Sequence, residues 1–181
     1  MTAQAGAFAE GMRASGVIPT YKHFPGLGRV AANTDTSADV VDRTTTRSGD
    51  PAVDVFAGAI TTGAQVIMVS SATYALIDPA APAVFSSVVV TDMLRTEMGF
   101  SGVVITDDVS AAAQVRGVAA GERAVRAVRA GCDIVLASAD PAAAADMVKA
   151  LIAAAQSDPA LAARVEESAA RVLALKNSSQ S

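Results

Sequence analysis

Four short runs of apolar, largely β-branched residues recur along the chain, and they constrain its fold more than any other feature. They are Val17–Tyr21, Gln65–Ser70, Val103–Thr106 and Asp133–Ala137. Each is apolar almost throughout, whereas a strand with one wet face would alternate. Strands buried on both faces belong to parallel sheets covered by helices. The segments between them agree. Ala52–Thr62, Ser87–Met98 and Val118–Ala130 bring apolar side chains round at helical spacing. Each closes near a glycine (Gly63, Gly99, Gly131) suited to a left-handed stop. Ser86 or Ser87 is a suitable N-cap for the second. Pro141 fits the first turn of a further helix, and Asp158-Pro159 opens a last one running to about Leu175.

Strand and helix in alternation predict an α/β fold with a parallel sheet. Doubly wound sheets and barrels share that pattern, and the polar residues separate them. Lys22-His23, Ser70-Ser71, Thr106-Asp107-Asp108 and Ser138 all follow the apolar runs. A barrel carries its chemistry at that C-terminal end of every strand. A closed barrel needs eight βα units, usually in about 250 residues, and this chain has 181. The expectation is therefore one partial domain over residues 1–181. It is the C-terminal half of a (β/α)8 TIM-type barrel, with about four parallel strands and flanking helices. The one long irregular stretch, Ala32 to Asp50, is rich in Thr, Ser and Asp and reads as a mobile catalytic loop over residues 32–50.

Composition narrows the function. Aromatic content is 4% with no Trp, which argues against a sugar-stacking β-sandwich module. Net charge is -4 and the basic residues are scattered, so neither nucleic acid nor an anionic membrane is an expected partner. The single Cys132 excludes an intrachain disulfide and reads as a small core residue. No run reaches the ~18–20 apolar residues of a bilayer span, and residues 1–16 lack the form of a signal peptide. The chain as given is expected in the cytosol, while a longer parent could be secreted or held at the cell envelope. No metal or cofactor is expected.

Two stretches carry chemistry. Lys22-His23-Phe24-Pro25-Gly26-Leu27-Gly28 puts a cation and the chain's one imidazole at a strand end, ahead of Gly26 and Gly28, which admit close backbone approach to a ligand. Adjacent residues on a strand face opposite ways unless it bulges there. Val103-Val104-Ile105-Thr106-Asp107-Asp108 ends a buried strand in two carboxylates, which burial and mutual repulsion make costly. Either one acid faces the barrel mouth while the other caps the next helix, or both are caps. On residues alone, Lys22 also suits the Schiff-base lysine of a barrel aldolase.

These stretches resemble the signature segments of glycoside hydrolase family 3, nearest its β-N-acetylhexosaminidase branch, which acts in peptidoglycan turnover. Gly63–Ser70 resembles the family's sixth strand, Pro82–Ser86 the start of a helix, Ala130–Leu136 its eighth strand and Arg171–Lys176 its closing helix. The chain would then carry strands 5–8. The resemblance implies retaining hydrolysis of terminal β-linked N-acetylglucosamine with Asp107 as nucleophile. Lys22 and His23 would bind sugar hydroxyls, with Gly26, Gly28, Asn33, Thr34 and Ser70 completing the binding surface. A neighbouring Lys22 cation would keep Asp107 ionised.

The branch's acid/base is a His in an Asp-Ser-His unit, and here that unit falls on Asn33-Thr34-Asp35. Asp35 is therefore either the acid/base or a turn residue. The family's first four strands have no counterpart, so self-association through an open barrel edge is expected. A family 3 β-glucosidase and a half-barrel that binds sugar or a partner without turnover are the alternatives.

Overall fold

A computed structural model describes residues 2–178. Helix α1 (Thr2–Ala14) precedes strand β1 (Thr20–Phe24), and a long connection containing the short strand β2 (Val41–Asp42) leads to α2 (Pro51–Thr61). Strands β3 (Val66–Val69), β4 (Thr73–Tyr74) and β5 (Asp78–Pro82) follow. A π-helical segment (Val88–Glu97) then leads to β6 (Val103–Asp108), α3 (Ala120–Ala130) and β7 (Ile134–Leu136). Helices α4 (Ala143–Ser157) and α5 (Pro159–Ser178) close the chain.

Strands β1, β3, β6 and β7 form one sheet in that order, every pair parallel. The order follows the chain without reversal. A doubly wound sheet would reverse at a switch point, so the winding is that of one side of a barrel. Central strands β3 and β6 bury Val66, Ile67, Val69, Val103 and Val104. All three residues of edge strand β7 are only half-buried. A single main core joins the sheet to α2, the π-helical segment, α3 and Met147 of α4. Each fully buried Val, Leu, Ile or Met there stabilises the fold by about 1.5–3 kcal/mol.

The four expected strands are present with shifted ends. Pro19 has no N–H to give a ladder, so the first strand starts at Thr20 rather than at Val17, which is half exposed. Helix α2 starts where Asp50 caps it, accepting the Ala52 N–H at 2.9 Å with Pro51 next. Gly63, Gly99 and Gly131 all have positive φ, as the helix stops require.

Two features differ from expectation. Residues 88–97 wind as a π-helix, whose apolar face (Val89, Val90, Met93, Leu94) has a spacing that serves an α-helix equally well. Ser86 begins it, its hydroxyl accepting the Val89 N–H. A second small sheet, in the order β2–β4–β5, was not foreseen. Its edge strand contains Pro79 and Pro82, residues that ordinarily mark loops and are tolerated only at edges. No helix among the described residues is long and apolar enough to cross a membrane.

Candidate active site at the C-terminal ends of the strands

Strands β1 and β6 each carry one extra residue at their C-terminal ends. Between Tyr21 and Phe24, β1 advances three residues while β3 advances two, from Ile67 to Val69. Between Ile105 and Asp108, β6 advances three while β7 advances two, from Ile134 to Leu136. Such a bulge bends a strand and re-aims its side chains. It falls on Lys22-His23 in one strand and on Thr106-Asp107 in the other. The result spans the intervening β3. Strand spacing separates β1 and β6 by roughly 9–10 Å, yet His23 Nε2 lies 3.9 Å from Asp107 Oδ2.

Both side chains are largely buried, His23 with 22% exposed and Asp107 with 15%. They line a cleft of about 470 Å³ together with Lys22, Asn33, Thr34, Asp35 and the apolar Leu27, Val30, Ala31 and Ala32. Burial raises the Asp107 carboxyl above its ordinary range, against the pull of the His23 charge and of the Asp108 N–H. Lys22 pulls the same way but more weakly than either, so it is not what governs this acid, contrary to expectation. Burial also lowers the His23 pKa, outweighing the nearby Asp107.

The adjacent acid has the opposite role. Asp108 Oδ1 accepts from the Ser110 N–H at 2.7 Å and from its hydroxyl, and Oδ2 accepts from the Ser138 and Ala139 N–H groups at 2.9 and 2.6 Å and from the Ser138 hydroxyl. Burial pushes its pKa up, but these donors outweigh it and hold the carboxyl well below the usual carboxylate range. No helix follows directly, so Asp108 is not the cap expected of it. It ties the loop after β6 to the loop after β7.

The cleft gathers Lys22, His23, Asn33, Thr34, Asp35 and Asp107. Gly26, Gly28 and Ser70 are not brought to it. Gly26 has φ +130, and a Cβ there would sit 2.8 Å from the Ala52 Cβ, so its missing side chain serves packing against α2. Gly28 is exposed. Ser70 is fully buried, its hydroxyl accepting the Ala72 N–H. Lys22 is exposed, unlike a Schiff-base lysine, which desolvation must activate. Among the described residues, no three His, Cys, Asp or Glu side chains cluster as metal ligands.

The 32–50 stretch is anchored from within. Asp42, buried, accepts from the N–H groups of Thr44 and Thr45 at 2.8 and 2.7 Å and from the Thr45 hydroxyl. Arg29 reaches Asp50 at 2.6 Å and holds its pKa down to about 2. A second tie runs to the segment after β6, where Gln114 bonds both backbone groups of Val40. Sequence reading missed that residue, because no local pattern marks a partner 74 positions away.

Residues 1–175 match the family described as "Glycosyl hydrolase family 3 N terminal domain". The chain belongs to this family. It is similar to the crystal structure of the β-N-acetylhexosaminidase from Beutenbergia cavernae, with 57% identity and a TM-score of 0.94, covering 96% of this chain and 51% of that one. A family 3 β-N-acetylglucosaminidase from Paenibacillus sp. is 31% identical with a TM-score of 0.89, over 97% of this chain and 34% of that one. The β-hexosaminidase of Xylella fastidiosa (strain M23) is 42% identical over 139 residues, 75% of this chain and 40% of its own length. The family 3 chain thus spans about half or less of these relatives.

Proposed function

We propose that the chain hydrolyses terminal β-linked N-acetylglucosamine with retention of configuration. The observation that carries this is the cleft that joins a largely buried Asp107 to His23 at 3.9 Å and to Asp35. The names of the similar proteins favour the N-acetylhexosaminide over the glucoside.

In this reading, ionised Asp107 attacks the anomeric carbon and forms a glycosyl ester as the bond to the leaving oxygen breaks. Asp35 gives its proton to that oxygen. Asp35 then takes a proton from water, which attacks the same carbon and frees Asp107. His23 and Lys22 hold ring hydroxyls, with Asn33 and Thr34 beside them. Their bonds tighten as charge develops on the sugar. Residues 32–50 supply the acid/base. The partner is a carbohydrate, with neither nucleic acid nor membrane involved.

The test is release of nitrophenol from the aryl N-acetyl-β-glucosaminide and the aryl β-glucoside. Faster release from the first is expected. Preference for the glucoside would favour the β-glucosidase reading, and sugar binding without release would favour the inert half-barrel.

The edges favour self-association. Strands β1 and β7 are the two unpaired edges of a parallel sheet, flanked by exposed Phe8 on α1 and by Val148 and Ile152 on α4. A twofold axis would set β7 of one copy parallel to β1 of the other. Concentration-independent monomer behaviour in sedimentation would refute it.

A further inference from the structure

We infer that Gln114 is a positioning residue that holds the Asp35 loop over the nucleophile, an inference that rests on the acid/base reading of Asp35. Its amide grips one backbone residue from both sides. Gln114 Oε1 accepts the Val40 N–H at 2.7 Å, and Gln114 Nε2 donates to the Val40 carbonyl at 3.3 Å. The same turn, Ala113–Val115, holds the other arm of the loop through its backbone. The Ala113 N–H donates to the Asp35 carbonyl at 3.0 Å and the Gln114 N–H to the Thr34 carbonyl at 3.1 Å.

The two grips fall on Thr34-Asp35 and on Val40 and bracket residues 36–39, which follow Asp35 and end at Asp39 with φ +57. From Asn33 onward the loop is also bonded to itself. Asn33 accepts the Asp35 N–H on its side chain at 2.8 Å and the Ser37 N–H on its carbonyl at 2.9 Å. Asp35 itself is exposed and accepts no structural ion pair among the described residues, so its place over the cleft depends on where the loop backbone is held. The turn that holds it follows β6, with Gln114 six residues beyond the Asp107 strand's last paired residue, Asp108. The nucleophile and the residue that aims its proton donor therefore share one continuous segment.

The chemistry offers a readout that a merely structural role would not move. An aryl glycoside with a dinitrophenyl leaving group departs without a proton, whereas one with a methoxyphenyl group needs it. In Gln114→Ala, kcat/KM on the methoxyphenyl N-acetyl-β-glucosaminide should fall by about 10- to 100-fold, the effect of misplacing a reacting group by about 1 Å. The loss on the dinitrophenyl substrate should stay under about threefold. Gln114→Glu keeps the acceptor for Val40 and should recover part of the loss. Asp35→Ala should show the same selectivity, more strongly.

Equal losses on both substrates in Gln114→Ala would overturn the inference alone. Absence of leaving-group selectivity in Asp35→Ala would instead overturn the acid/base reading beneath it. Amide exchange decides the point without turnover. The Val40 and Ser37 N–H groups should exchange at least about tenfold faster in Gln114→Ala while the β6 amides keep their rates. Unchanged loop exchange, or faster exchange throughout β6, would refute the positioning role.

Discussion

The two ends of one sheet hold acids in opposite circumstances. At the mouth, Asp107 is desolvated, accepts one hydrogen bond among the described residues, from the Asp108 N–H at 2.9 Å, and has its pKa raised. At the base, just before β7, the fully buried Asp133 side chain bonds Arg95, Arg164 and Arg171 and also accepts the Val104 N–H at 2.9 Å. Burial pushes its pKa up too, but the Val104 N–H and the arginines outweigh it. The base spends its acid on tying the π-helical segment and α5 to the sheet. The mouth leaves its acid underpaired, which is unfavourable for folding and suited to a nucleophile. Burial therefore does not by itself set a carboxyl's proton affinity; the donors and cations around it do.

The contrast is broken most severely by Asp107→Asn. It should cut turnover of the aryl N-acetyl-β-glucosaminide by about 10³-fold or more and leave the urea midpoint unchanged or raised. Asp133→Ala should do the reverse to stability. It strands three arginines and should cost about 3–5 kcal/mol, read by urea unfolding.

Asp108→Asn should cost about 1–3 kcal/mol, because donors on Ser138 and Ala139 lose their acceptor. Gly26→Ala places a Cβ 2.8 Å from the Ala52 Cβ at φ +130 and should cost about 1–2 kcal/mol by thermal melting.

The pH response sharpens the comparison further. The lowered pKa values of Asp133 and Asp108 favour the charged form in the fold. Their stabilising contribution is complete above the unfolded value near 3.8 and is lost as pH falls through the folded values. Asp107 has the opposite sign, so its protonated form favours the fold and its contribution fades as pH rises through its raised value. Activity should therefore rise with pH over the range where that contribution fades, as a pH–rate profile would record.

Much of this was legible in the chain. The apolar runs named all four main strands, the residues at their ends named Lys22, His23 and Asp107, and the family resemblance alone named Asp35, which lines the same cleft. Local patterns failed where partners are distant in sequence. Nothing near Gln114 marks Val40, and Asp133 sits in an apolar stretch that reads as plain core while its three arginines come from the π-helical segment and α5. Ser70 illustrates the converse, since a polar residue after a strand reads as a ligand group until its burial is known.

The sequence was enough to specify a parallel α/β protein with polar residues gathered at the strand ends, because apolar periodicity dictates which faces must leave water. The tertiary structure added why the two adjacent acids differ in proton affinity. Hydrogen-bond donors from Ser138 and Ala139, thirty residues along the chain, reach Asp108 and not Asp107, and a carboxylate's proton affinity is set by the groups that surround it in space.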